Sequence, residues 1–329
     1  MNFPVIDIEP MKNRDGNKIA VAKEMAQACK ESGFFYIKGH GVDTAIQDDL
    51  ERLSWKFFNL PETKRNEIAM EKGGRAWRGY FPLGGELTSG KPDLKEGLYF
   101  GEQLSPDHPM VKAGIPLHGP NLFPDISEFE TVVLHYMKAL SDLGHQIMQG
   151  LALSLELPTN FFESRYMYHP LTLFRIFHYP SPVQEHLAQE QWGVGEHTDY
   201  GVLTILKQDR VGGLQVYTQG KWTDAPYIEN TFICNLGDML DLMTGGYYRS
   251  TPHRVQNKSG RGRLSFPFFF DLDFNARLEP IDLTHLGHTS ALSFRRWDES
   301  DLQVFSGTYG DYLLNKVSQV FPQLRDDLL

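Results

Sequence analysis

From Leu171 to Leu272 the chain reads as seven short apolar or alternating runs, LTLFRIFHYP, HTDYGVLTILKQ, GGLQVYT, KWTDAPY, NTFICNL, TPHRVQN and RLSFPFFFDL, divided by glycine, proline or asparagine turns. Seven strands at such short spacing point to an antiparallel barrel or a jelly-roll sandwich. Pro267 falls inside the last run. Because proline has no ladder donor, it predicts an edge strand or a bulge there.

Upstream the period is different. Residues 3–8 alternate as a strand, Gly16–Lys30 has helical composition, and FFYIKG after Gly33 reads as a second strand, so the chain opens β-α-β. Asp43–Phe58 is an amphipathic pattern, with Trp55, Phe57 and Phe58 as core, and Pro61 can open another helix. Gly73–Gly101 is dense in glycine and aromatics, the composition of a lid or pocket wall, and Met110–Pro124 is irregular. Ile126–Leu157 carries Phe129, Val133, Tyr136, Leu140, Leu143, Ile147 and Leu151 at helical spacing, and the end, TYGDYLLNKVSQVFPQL, is helical again. The fold class is therefore α+β and mainly β: a jelly-roll core flanked by helices, with an N-terminal β-α-β extension. No repeat or low-complexity linker divides the chain. The reading is one unit with an N-terminal region at 1–120 and a catalytic region at 121–329, whose strand core lies at about 170–280.

With 329 residues and 41% apolar composition the chain can bury a large core. A formal charge of −10 offers no basic field for phosphate backbones or anionic lipid, which argues against nucleic acid and membrane partners and for a small-molecule substrate. No run approaches the roughly 20 apolar residues of a membrane span, and MNFPVIDIEPM lacks a secretory pattern, so a cytoplasmic location is expected. Cys29 and Cys234 read as buried small hydrophobes, and two cysteines exclude a disulfide framework.

His197 and Asp199 stand two apart in GEHTDYG, and on a strand residues i and i+2 share a face. His253 in STPHRVQ is the candidate third ligand, followed by Arg263 and Ser265 in RGRLS. Chance alone gives about 0.8 His-x-Asp triplets in this composition, and an Arg-x-Ser decoy occurs at Arg52-Leu53-Ser54, so neither pair is specific by itself. The order is specific: His-x-Asp opening one strand, a lone histidine in a later strand, Arg-x-Ser in the next. Two imidazoles and one carboxylate on one face form the facial triad of non-haem Fe(II) oxygenases, while a zinc hydrolase would use the same donors with one water. A dicarboxylic 2-oxo acid can take two of the three open positions and leave one for dioxygen. Its far carboxylate then needs a fixed cation. Arg263 offers a bidentate fork, Ser265 a second hydrogen bond and Tyr179 a third.

GEHTDYGVLTILKQD, GGLQV, NLGDML, LMTGGYYRSTPHRV and RLSFPFFF, with DIEP, GFFYIKGHGV and FFNLP, resemble the iron- and 2-oxoglutarate-dependent dioxygenases of the isopenicillin N synthase-like group over nearly the whole chain. The resemblance implies a double-stranded β-helix core, Fe(II) on His197, Asp199 and His253, and 2-oxoglutarate on Arg263, Ser265 and Tyr179. It implies oxidation by O2 with release of succinate and CO2, hydroxylation being the default outcome. ELTSGKPDL and VKAGIPLHGPNLFP resemble the ethylene-forming branch, and HYP, GEHTDYG and GGLQV the fungal pyrimidine hydroxylases. The ethylene-forming pattern has arginine at His178 and near Asn315, positions tied there to an amino-acid substrate, so ethylene formation is not expected. The same comparison marks Glu86, Thr88, Tyr200 and Phe269 as substrate-pocket residues. Three other readings share these residues: a zinc hydrolase, a binding protein on a retired enzyme fold, and an Fe(II) oxidase of the same fold that uses no 2-oxoglutarate. Trp192, Trp222 and Trp297 read as packing residues and His40 as a turn residue. His135, His145, His169, His186, His285 and His288 read as surface or solvated.

Overall fold

The structure, a computed structural model, describes residues 3–13, 16–88, 90–181, 192–289 and 307–320, with side chains described as far as 317. Its strands are β1 Val5–Asp7, β2 Phe34–Lys38, β3 Gly79–Phe81, β4 Leu87–Thr88, β5 Lys91–Pro92, β6 Glu96–Gly101, β7 Pro170–Tyr179, β8 Val194–His197, β9 Leu203–Gln208, β10 Leu214–Thr218, β11 Lys221–Asp224, β12 Phe232–Leu236, β13 His253–Val255 and β14 Arg263–Asp273. They form an eight-stranded sheet in the order β1-β2-β12-β9-β14-β7-β6-β3, a four-stranded sheet in the order β11-β10-β13-β8, and the hairpin β4-β5.

The opening β-α-β unit forms as its sequence predicts. β1 and β2 pair parallel across the helix Lys18–Glu31, whose first turn is capped by the Asn17 side chain accepting from the Ala20 amide. Gly33 then turns the chain at φ 65°, where a Cβ would stand 2.1 Å from the Arg249 carbonyl oxygen. β2 pairs with β12, so this unit widens the large sheet.

The period-two pattern of β14 divides its side chains between two environments. Leu264, Phe266, Phe268, Phe270 and Leu272 are fully buried toward the helix layer, each aromatic contributing about 1.5–3 kcal/mol by burial. The long helix Phe129–Ser154 covers this side: Tyr136 packs on Phe174, and at Gly144 a Cβ would lie 2.7 Å from the Phe270 ring. Arg263, Ser265, Pro267, Phe269 and Asp271 face the other way, into a cavity of about 580 Å3 that the small sheet closes. Leu173, Arg175, Phe177 and Tyr179 of β7 line the same cavity.

Two sequence expectations are corrected. The run His197–Gln208 is not one strand: β8 belongs to the small sheet and β9 to the large one, and Asp199 sits in the link between them. Pro267 lies on neither an edge nor a bulge, because β14 is interior. Its ladder with β9 runs unbroken from Ser265 to Phe270, while pairing with β7 skips Phe266 and Pro267, which absorbs the missing donor. The segment Gly73–Gly101 supplies the β4-β5 hairpin and the interior strand β6, and so forms a cavity wall.

Candidate metal centre and adjoining pocket

β8 and β13 pair antiparallel with His197 opposite His253, which puts the two imidazoles on one face with ring centres 4.2 Å apart. Asp199 reaches them from the inter-sheet link. Its Oδ1 lies 3.9 Å from His197 Nε2 and 3.6 Å from His253 Nε2. The link is held by backbone bonds, Asp238 N to Asp199 O at 2.8 Å and Met239 N to Gly201 O at 3.0 Å, and by Val202 N donating to Asp271 Oδ1 at 2.8 Å. Gly201 has no room for a Cβ, which would fall 1.7 Å from Asp271 Oδ1.

The donors around these groups decide which atoms face the common point. Asp199 Oδ2 accepts from Thr204 Oγ1 and, at 2.7 Å, from Asn235 Nδ2, leaving Oδ1 turned toward the imidazoles. Each histidine donates its Nδ1–H to a carbonyl two residues back, His197 to Gly195 at 2.8 Å and His253 to Thr251 at 3.2 Å, so both Nε2 lone pairs are presented. Burial pushes both imidazole pKa values down, and the neighbouring His197 helps bring His253 to about 4. Burial pushes Asp199 up, but His253, His197, Thr204 and Asn235 outweigh it and hold the carboxyl below its ordinary value. At neutral pH the group is therefore two neutral imidazoles and a carboxylate. Among the described residues it is the one His/Cys/Asp/Glu group whose donor atoms, all within 4.8 Å of one another, could hold a metal ion. Thr204 and Asn235, cross-strand partners in β9 and β12, were not read from the sequence, although Asn235 stands in the quoted NLGDML.

At another part of the cavity Arg263 is completely buried. Its Nε donates to the Gly212 carbonyl and its Nη2 is 3.5 Å from Gln208 Oε1, but Nη1 has no partner among the described residues. Tyr179 lies with its ring 4.6 Å from the guanidinium carbon, and its hydroxyl is 3.4 Å from Ser265 Oγ. A buried cation with an unmet donor beside two hydroxyls is costly unless an anion joins it. The arrangement fits a carboxylate.

The third part of the cavity holds Glu86 and Thr88 from the hairpin, Tyr200 and Phe269, and it also holds Lys95 and Arg175, which sequence reading missed. Glu86 is not a lone loop carboxylate. Lys95, buried, has its Nζ 3.0 Å from Glu86 Oε2 and 2.7 Å from Asp93 Oδ2, and Thr88 donates to the same Asp93 oxygen at 2.7 Å. Burial works against the ammonium, but Asp93 and Glu86 prevail and raise its pKa above the ordinary lysine value. Arg175 lies 3.4 Å from the Tyr99 ring centre and 5.8 Å from that of Phe269. Its period-two relation to Phe177 and Tyr179 in LTLFRIFHY was the available signal.

His178 and Asn315, the positions where the chain departs from the ethylene-forming pattern, are not among the residues that line the cavity. His178 points to the opposite side of β7, with Nδ1 2.8 Å from Glu96 Oε1 and its ring stacked on Phe58; Asn315 is exposed on the helix Tyr309–Val320. Tyr309, Leu313, Lys316 and Val317 of that helix do reach the cavity. Two histidines are less solvated than expected, His145 packing edge-on to Phe270 and His288 on Tyr247, while His40 is buried against Phe232. His285, exposed, bonds the Leu155 carbonyl at 2.9 Å. His186 and Trp297 lie outside the described residues.

Asp271 gives a testable pH effect. Burial pushes its carboxyl up to about 7 despite the Val202 amide bond. Between the unfolded value of about 3.9 and 7 the folded chain holds a proton that the unfolded chain releases, so stability falls as pH rises through that window and stays low above it. Asp271→Asn keeps the acceptor for Val202 and removes the charge. A melting temperature several degrees above wild type at pH 8 with no gain near pH 4 is expected; equal shifts at both pH values would reject the assignment.

Comparison with known proteins extends this geometry. Residues 3–126 match the family described as non-haem dioxygenase in morphine synthesis, N-terminal, and residues 170–272 match the 2OG-Fe(II) oxygenase superfamily. A probable iron/ascorbate oxidoreductase of Dictyostelium discoideum is 49% identical over 99% of this chain and 97% of its own length. A homoarginine-6-hydroxylase of Oryza sativa subsp. japonica is 34% identical over 96% of each chain. The crystal structure of the full-length thymine 7-hydroxylase of Neurospora crassa, in complex with alpha-KG and thymine, superposes with a TM-score of 0.79 at 26% identity, covering 96% of each chain.

Proposed function

The chain belongs to the 2-oxoglutarate and Fe(II)-dependent oxygenase superfamily, and from that premise we propose that it hydroxylates a small metabolite carrying both a cationic nitrogen and an anionic group. It is an oxidoreductase, a 2-oxoglutarate-dependent dioxygenase acting on a small molecule, and its core is the double-stranded β-helix of its structural neighbours. Fe(II) and 2-oxoglutarate are its cofactors, with O2 as co-substrate.

In this reading His197, Asp199 and His253 hold Fe(II), which supplies the redox chemistry when bound. Arg263 grips the far carboxylate of 2-oxoglutarate with its unmet Nη1–H, while Ser265 and Tyr179 add hydroxyl contacts. The observation that carries the assignment is that one cavity contains both the three-donor group and a buried arginine whose Nη1 has no hydrogen-bond partner among the described residues. Leu173, Phe177, Leu206, Pro267 and Phe269 line it with apolar surface that excludes water from the reacting atoms. For the substrate, Glu86, paired with Lys95, presents a carboxylate to the pocket, and Arg175 supplies a guanidinium within it. Such a pair suits an amino acid or a similar zwitterion, with Thr88 and Tyr200 as hydrogen-bonding neighbours and Phe269 as an apolar wall. The homoarginine hydroxylase relative supports that class by its name. Two buried free thiols suit a reducing compartment, which supports a cytoplasmic location, and the acidic charge opposes nucleic acid or membrane partners. No helix among the described residues is long and apolar enough to cross a membrane.

A screen for succinate release with Fe(II), 2-oxoglutarate and candidate substrates tests this. Stoichiometric succinate and a product one oxygen heavier are expected with an amine- or guanidine-bearing acid. Turnover confined to neutral nucleobases or uncharged aromatics would reject the charged-pocket reading.

A further inference from the structure

The strands that present the two imidazoles are short. β13 has three residues and β8 four, and their register shifts between His253 and Val255, a bulge that breaks the ladder where a metal site would need it most rigid. The inner face of this sheet is the cavity wall. Its outer face carries Arg254, which follows His253 directly and is paired in register with Gln215 of β10.

Arg254 lies between two tryptophan rings, its guanidinium carbon 4.0 Å from the Trp192 ring centre and 3.8 Å from that of Trp222. Trp192 stands on the chain entering β8, and Trp222 is in β11. Tyr217 packs against Trp222 at a tilt, with ring centres 5.2 Å apart, and Arg254 Nε donates to Gln215 Oε1 at 3.0 Å, while Gln215 donates to Asp224 at 2.9 Å. One side chain thus ties β13, β10 and β11 to one another and to the segment that leads into β8, across the outer face of the small sheet. Arginine suits this place because its planar fork stacks on aromatic faces while still donating in plane; lysine cannot do both.

We propose that Arg254 is a positioning residue for the metal centre, clamping β13 and the entry to β8 from outside so that His197 and His253 keep their separation. The inference rests on the metal assignment of His197, Asp199 and His253, and the test separates the two. The full-length protein is stripped of metal with a chelator and titrated with Co(II), reading both the dissociation constant and the visible ligand-field spectrum. Wild type binds, His197→Ala does not, and Arg254→Ala binds about ten- to a hundredfold more weakly with a shifted spectrum, the range seen when groups supporting metal ligands are removed. Arg254→Lys recovers only part of the loss. Wild-type affinity and spectrum in Arg254→Ala, with His197→Ala inactive in binding, overturn the clamp and leave the metal site standing. Wild-type binding by His197→Ala overturns both. Should Arg254→Ala not fold, Trp222→Ala and Arg254→Lys decide on the same scale: weakened Co(II) binding in either supports the clamp, and unchanged binding in both overturns it.

Discussion

His197→Ala is expected to abolish Fe(II) binding and all turnover. The substitution leaves Asp199 Oδ1 facing one imidazole, and no other His, Cys, Asp or Glu among the described residues is grouped there to replace the lost donor. The remaining pair cannot hold three facial positions of an octahedral ion. The measurement is anaerobic: Fe(II) and 2-oxoglutarate added to wild type give a visible charge-transfer band, and the variant gives none. The fold should survive, since His197 is partly exposed and its replacement removes the bond to the Gly195 carbonyl, the ring contact with His253 and the approach to Asp199, but no buried apolar contact. A variant that keeps both band and turnover would place the metal elsewhere.

Arg263→Ala carries the second large effect, on the co-substrate and not on the metal. The guanidinium is fully buried and Nη1 has no partner among the described residues, so the lost contact is a charge-assisted one worth about 1.5–3 kcal/mol, or roughly a ten- to hundredfold rise in KM for 2-oxoglutarate. Co(II) affinity should stay near wild type. Arg263→Lys should recover little, because an ammonium cannot donate to the Gly212 carbonyl and fork onto a carboxylate together. An unchanged KM would mean that the far carboxylate sits against another cation, and Arg175 would be the next to remove.

Much of this architecture is legible in the chain. The period-two pattern of RLSFPFFFDL separates the helix-facing from the cavity-facing side chains, and the order of His197, Asp199, His253, Arg263 and Ser265 anticipates residues that the fold brings to one cavity. The break between β8 and β9 is not legible, because HTDYGVLTILKQ keeps a strand-like composition across a change of sheet. Asp199 meets the imidazoles through a loop pinned by Asp271 and Asp238, contacts too distant in sequence to be read as a local pattern. Lys95 and Asp93 were missed for a different reason: charges in a glycine-rich segment look solvated until folding buries them against each other. Pro267 shows tertiary context overriding a local rule, since one ladder compensates for the gap in the other.

The cavity lies between two sheets that make no common ladder, one bearing the paired histidines and the other the arginine. A molecule chelated at one and gripped at the other would act as a tie beam across the sandwich, resisting their separation as a cross-link does. On the assignment proposed above, loading with iron and 2-oxoglutarate would add to what keeps the two halves closed. The empty protein would be the looser body, and the primary substrate would enter a frame already braced.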